Sequence, residues 1–125
     1  MIYSTAEIKD LSALISEIKE KVFDINTQYK FLKIAKAVKE EEEFVREQEL
    51  LLLKQYGEKD ENGNLITSPD GGVRIQKEFL NECGTKVMEI NNRQIQLPDI
   101  YFSLDELEPL GLTFGQLVLL DPFIK

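Results

Sequence analysis

Four leucines in a row, Leu50–Leu53, follow shortly after four glutamates in a row, Glu40–Glu43, within KEEEEFVREQELLLLKQYG. Both runs fall in one predicted helix. Successive helical residues lie about 100° apart, so four together cover most of the circumference. The leucines therefore predict a helix that is apolar nearly all round at one level and is buried on more than one side. The glutamates predict the reverse a little earlier, a turn that is solvated or faces cationic groups.

That helix starts at Asp24 or Asn26, either of which can cap it, and runs to Tyr56, where Gly57 offers a left-handed C-cap. Phe31, Val38, Val45 and Leu52 are spaced seven apart along it, which resembles one half of a heptad seam. The other half fails, because Glu41, Gln48 and Gln55 stand where further apolar residues belong. A shorter helix precedes it. Ser4-Thr5-Ala6-Glu7 has the form of a capping box, and Ile8, Leu11, Ile15, Ile18 and Val22 then recur at helical spacing, so helix 1 is expected over 5–22. Folded back, this helix covers only the first half of the long one. The strands and the C-terminal segment are then the expected cover for Leu50–Leu53.

Charge segregates along the long helix, with Lys30, Lys33, Lys36 and Lys39 before Glu40–Glu43, Glu47 and Glu49. This runs against the preference set by the helix dipole. Antiparallel pairing of two copies would explain it, setting lysines opposite glutamates and Phe31 opposite Leu52. A solvated helix with Lys36–Glu40 and Glu42–Arg46 pairs explains it more simply, and is the favoured reading.

Past Gly57, Asn62-Gly63 and Pro69-Asp70-Gly71-Gly72 are turn signals that bound Leu65–Thr67 and lead into Val73–Ile75, predicting a β-hairpin. A helix of about two turns is expected from Gln76 to Glu82, ended by Gly84. Thr85–Ile90 and Arg93–Leu97 read as strands joined through Asn91-Asn92. Two short helices then close the chain. Ser103-Leu104-Asp105-Glu106 is a second capping box, Thr113 can cap the last segment, and Asp121-Pro122 stops it.

The 125 residues suit one domain with a single core, residues 1–57 forming a helical hairpin and 58–125 the remainder. A net charge of −8 argues against direct binding to nucleic acid or to an anionic membrane, both of which need a basic face. No stretch approaches the length of a membrane span, and no signal peptide is expected, because Glu7, Lys9 and Asp10 stand where its apolar run would be. A cytoplasmic setting follows as the expectation.

Candidate chemistry is sparse. The chain has no histidine, which removes His-based triads and the commonest zinc sites. Cys83 is the one cysteine and follows a short predicted helix rather than starting one, so it reads as a structural thiol. Asp60-Glu61-Asn62-Gly63-Asn64 invites a calcium reading, but Gly63 is fourth from Asp60 where an EF-hand needs its glycine sixth. A polar turn is the better account. No catalytic residue, metal ligand or cofactor is assigned, and an enzyme is not expected.

The C-terminal quarter has a different character. Between Gln94 and Ile124 there is no Lys or Arg, while Asp99, Asp105, Glu106, Glu108 and Asp121 lie there. In LGLTFGQLVLLDPFI, Phe114, Leu117, Leu120 and Phe123 can share a face. Most of these residues are expected to seal the core. A partner surface is the functional alternative, with Phe114, Leu117 and Phe123 as its apolar part and Asp105, Glu106, Glu108 and Asp121 as its rim.

The layout as a whole resembles a family of short bacteriophage and prophage proteins of unknown function. The resemblance rests on a long charged helix leading to a Y-G-x-x-D-x-x-G-like segment, here Tyr56–Gly63, and on a leucine-rich end with a Pro-Phe tail, here Pro122-Phe123. It covers the chain from about Asn26 onward. It implies a phage origin and action in an infected or lysogenic bacterium or within the particle, and brings no catalytic residues.

The expected fold is α+β: an N-terminal helical hairpin with one long helix, a small antiparallel sheet and short C-terminal helices. The expected function is non-catalytic, through a protein partner (self, phage or host) in assembly or as an adaptor, with a homo-oligomer as one form. The alternative is an acidic inhibitor that imitates phosphate toward a host nucleic-acid-binding or defence complex.

Overall fold

Ser4 ends a short strand and begins a helix in the same step. Its hydroxyl accepts the Glu7 N–H at 3.2 Å while the Glu7 carboxylate accepts the Ser4 N–H at 3.0 Å, the reciprocal capping box the sequence predicts. The computed structural model describes residues 1–22 and 24–125. It is α+β, with strand β1 (Ile2–Ser4), helices α1 (Thr5–Ile18) and α2 (Ile25–Tyr56), helix α3 (Leu80–Asn91), strand β2 (Gln94–Gln96), and short helices α4 (Leu104–Leu107) and α5 (Phe114–Leu120). No helix among the described residues is long and apolar enough to cross a membrane. The chain divides into two compact units, Met1–Glu42 with Arg93–Lys125, and Glu43–Asn92.

In the first unit, α1 ends at Ile18, four residues earlier than the apolar spacing predicts, and Val22 is buried from the turn beyond it. Asp24 is the cap of α2: its carboxylate accepts both the N–H and the hydroxyl of Thr27 at 3.0 Å. Ile8, Leu11, Leu14 and Ile18 of α1 meet Phe31, Ile34 and Val38 of α2 in the core. β1 pairs antiparallel with β2, placing Tyr3 opposite Ile95 in a two-stranded sheet. The C-terminal segment completes this core, with Leu107, Leu110, Leu120 and Phe123 all buried in it. Phe123 stacks on Tyr3 with ring centroids 5.6 Å apart, and Phe102 lies against Phe31 at 4.5 Å.

The second unit is built differently. After Tyr56 the chain lays down three extended pieces linked by the antiparallel bridges Gly57–Ile75, Lys59–Leu65 and Thr67–Val73. The expected hairpin is present in the Thr67–Val73 bridge, and the piece just past α2 joins it. The three pieces bond in a ring: Glu58 N–H donates to Arg74 O, Arg74 N–H to Ile66 O, and Ile66 N–H to Glu58 O, at 2.7, 3.0 and 2.9 Å. The Asp60 carboxylate is occupied by the N–H groups of Asn62 and Asn64, and Gly63 takes φ 80°, so this stretch is a turn. Leu52, Tyr56 and Cys83 form the small core, with Ile75, Phe79 and Ile90 against it. The Tyr56 hydroxyl donates to Glu82 at 3.0 Å.

Several expectations fail here. Residues 85–90 are helix, not strand, and Gly84 stands inside α3 rather than ending it. The β-branched Thr85, Val87 and Ile90 suggest a strand locally, but Phe79, Cys83 and Ile90 share a helical face turned to the core. β2, within the expected Arg93–Leu97 strand, pairs with the N-terminal residues instead. Gly57 is not left-handed. A Cβ there would collide with Leu53 O and come within 2.6 Å of Leu65 Cδ2, so the glycine serves close approach.

Of the four leucines only Leu52 is buried; Leu50 and Leu51 are 49% and 56% exposed. The cover of Leu52 comes from α3 and its approach, not from the C-terminal segment, which seals the other core. The glutamate run is exposed or half-exposed, except that Glu41 pairs with Arg93 at 3.0 Å. Phe31, Val38, Val45 and Leu52 are all buried within their own chain, which removes the pairing of copies through Phe31 and Leu52. Neither Lys36–Glu40 nor Glu42–Arg46 is among the ion pairs of the described residues.

Candidate interaction surface

Two further capping boxes shape the C-terminal surface. Ser103 and Glu106 start α4, and Thr113 and Gln116 start α5, each pair exchanging backbone N–H bonds between 3.0 and 3.2 Å. Gly111, at φ 61°, ends the 3₁₀ turn Glu108–Leu110 in the left-handed conformation and lets the chain reverse between the helices. The reversal leaves a cavity of about 340 Å³ lined by Leu104, Asp105, Leu107, Glu108, Gly111, Leu112 and Leu117.

α5 carries the apolar side of this surface outward. Phe114 is 83% exposed, Val118 57% and Leu104 61%, with Leu117 at the edge of exposure. Phe114, Leu117 and Val118 stand at helical spacing, so they form one stripe rather than scattered exposures. On the other flank of α5 lies a broader groove of about 590 Å³, lined by Glu7, Asp10, Ala13, Leu14 and Glu17 of α1 and by Thr113, Gly115, Gln116, Val118 and Leu119. The Gln116 amide donates to the Glu17 carboxylate across it at 2.6 Å. α5 is thus an apolar stripe between two sets of carboxylates, Asp105 and Glu108 on one side and Glu7, Asp10 and Glu17 on the other.

The residues singled out from sequence divide into groups. Asp105, Glu108 and Leu117 line one cavity, and Phe114 stands exposed beside it. Asp121 is exposed at the far end of α5. Phe123 has no accessible surface and belongs to the core. Glu106 is turned inward as a tether: it accepts Lys30 at 2.9 Å through both oxygens and, at 3.1 Å, shares with Asp24 the one proton of the Thr27 hydroxyl. The bond from its own capping box and the Lys30 ammonium pull its pKa down to about 2. Glu7, Asp10 and Glu17 were missed, although their spacing of three and seven on helix 1 puts them on one face.

Chemically the surface offers apolar contact and negative charge. Among the described residues no three His, Cys, Asp or Glu side chains converge to hold a metal ion. No protein-family model matches the chain, and no curated protein or solved structure is significantly similar to it.

Proposed function

We propose that the protein is a non-catalytic interaction protein that docks a partner through the α5 surface, in an assembly or adaptor role. The observation that carries this reading is the α5 stripe of Phe114, Leu117 and Val118, with Leu104 of α4 beside it, exposed between two carboxylate flanks. An apolar centre with a charged rim is the usual anatomy of a docking patch. The partner it fits has an apolar centre and a basic rim. The resemblance to short phage proteins favours a partner in the infected or lysogenic cell or in the particle.

A second reading draws on the carboxylates alone. Glu7, Asp10, Glu17, Asp105 and Glu108 around α5, with no Lys or Arg from 95 to 123, favour an inhibitor that imitates phosphate toward a host nucleic-acid-binding complex. Salt separates the two, because charge-borne contacts weaken steeply with ionic strength and apolar ones persist.

The test is a tagged capture from infected host lysate, eluted across a salt series, with wild type beside Phe114→Asp/Leu117→Asp. The docking reading expects a defined phage or host protein that resists high salt and is lost in the variant. A nucleic-acid-binding protein released by modest salt and retained by the variant supports the inhibitor reading. Identical recovery by both proteins at every salt sinks the role of the α5 stripe.

A further inference from the structure

Opposite its buried line, α2 carries a second line at helical spacing. Leu32, Lys36, Lys39, Glu43, Glu47 and Leu50 recur at intervals of three and four and fall on one narrow stripe of the helix. All six are exposed, the two leucines at 45% and 49%. None of the four charged residues is in an ion pair among the described residues. Two lysines followed by two glutamates, bracketed by leucines, make a pattern that is its own complement when reversed.

A parallel copy in register would set Lys36 against Lys36 and Glu43 against Glu43, which is repulsive. An antiparallel copy reverses every one of these contacts. We propose that a second copy of this chain packs antiparallel along this stripe of α2, with Lys39 opposite Glu43, Lys36 opposite Glu47 and Leu32 opposite Leu50. Two-fold symmetry makes each contact twice, so both ends of the stripe are apolar and its centre is charge-matched. The same register carries the exposed Tyr29 to Lys54, an aromatic ring against a lysine stem and ammonium.

This stripe is separate from the α5 surface, and the pairing does not depend on that docking reading. A single helix face is a small interface of the weak, transient kind, so the dimer is sought at micromolar concentrations and above.

Sedimentation velocity on the full chain at low salt, from about 1 μM to several hundred μM, tests this range. Wild type is expected to pass from monomer to dimer. Lys36→Glu/Lys39→Glu, and separately Glu43→Lys/Glu47→Lys, each turn matched contacts into like-charge ones and should weaken the dimer about ten-fold or more. An equimolar mixture of the two variants, and the variant carrying all four changes, should recover it. Recovery by mixing cannot come from a misfolded variant, and circular dichroism records the helix in each. A wild type that stays monomeric throughout overturns the proposal. So do variants that dimerise as tightly as wild type, or folded variants whose mixture recovers nothing.

Discussion

The Lys30 ammonium stands 2.9 Å from both carboxylate oxygens of Glu106, tying the start of α4 to the early part of α2. The same carboxylate closes the α4 capping box, so one side chain satisfies a helix terminus and a tertiary contact together. Glu106→Gln should therefore destabilise the fold at neutral pH by on the order of 1 kcal/mol. The pKa of Glu106 falls from its ordinary 4.5 to about 2 in the folded chain. A depressed acid stabilises the fold above its unfolded pKa and loses that contribution as pH falls through the folded one. Urea unfolding between pH 5 and about 2 should show a steeper loss in wild type than in Glu106→Gln.

Tyr3 makes a comparable link with an opposite pH signature. Its hydroxyl donates to Leu119 O at 2.7 Å, and burial, with Glu7 and Asp121 nearby, pushes its pKa up from 10.0. Tyr3→Phe should cost about 1 kcal/mol at neutral pH. A raised phenol pKa stabilises the fold below the unfolded value and loses that contribution as pH rises. Wild type should therefore lose stability above pH 10 more steeply than the variant, as read by thermal melts across that range.

Two glycine-to-alanine changes should move stability in opposite directions. Gly84 lies within α3 with nothing within 4 Å of an added Cβ, so Gly84→Ala should stabilise by roughly 0.5–1 kcal/mol. At Gly57 the added methyl meets the Leu53 carbonyl and Leu65, and Gly57→Ala should lower the melting temperature. Equal shifts in differential scanning calorimetry would count against this placement of both residues.

The two C-terminal phenylalanines should also separate. Phe123 has no exposed surface, and Phe123→Ala should cost about 3–5 kcal/mol. Phe114 is 83% exposed, and Phe114→Ala should change stability by less than about 0.5 kcal/mol. Chemical denaturation of the two variants checks this directly.

What could be read ahead of the structure was what neighbours in sequence decide. Ser4, Ser103 and Thr113 announce their helices because capping is completed within three residues. The line Phe31, Val38, Val45 and Leu52 announces the buried side of α2 because helical spacing is local too. The errors lie where a distant partner decides. β1 is three residues long and has meaning only beside β2, at the other end of the chain. Thr85–Ile90 becomes helix because Cys83 and Ile90 are wanted by the Leu52–Tyr56 core. Leu50 and Leu51 look like core by type, and only the placement of the covering elements reveals that they are not. For the surface, Phe114 and Leu117 were legible by their spacing, whereas Glu7, Asp10 and Glu17 join it through the packing of α5 beside α1.

The division of the chain has a consequence in time. Residues 43–92 form one uninterrupted stretch, while the first unit is assembled from both ends of the sequence. Translation delivers α1 and β1 long before β2, Phe102 and Phe123, which they need as neighbours. The middle stretch can therefore settle while the opening one still waits with an unfinished core. A ribosome paused before residue 120 would hold a chain whose middle stretch is fully written while the core of its first unit still lacks Leu120 and Phe123.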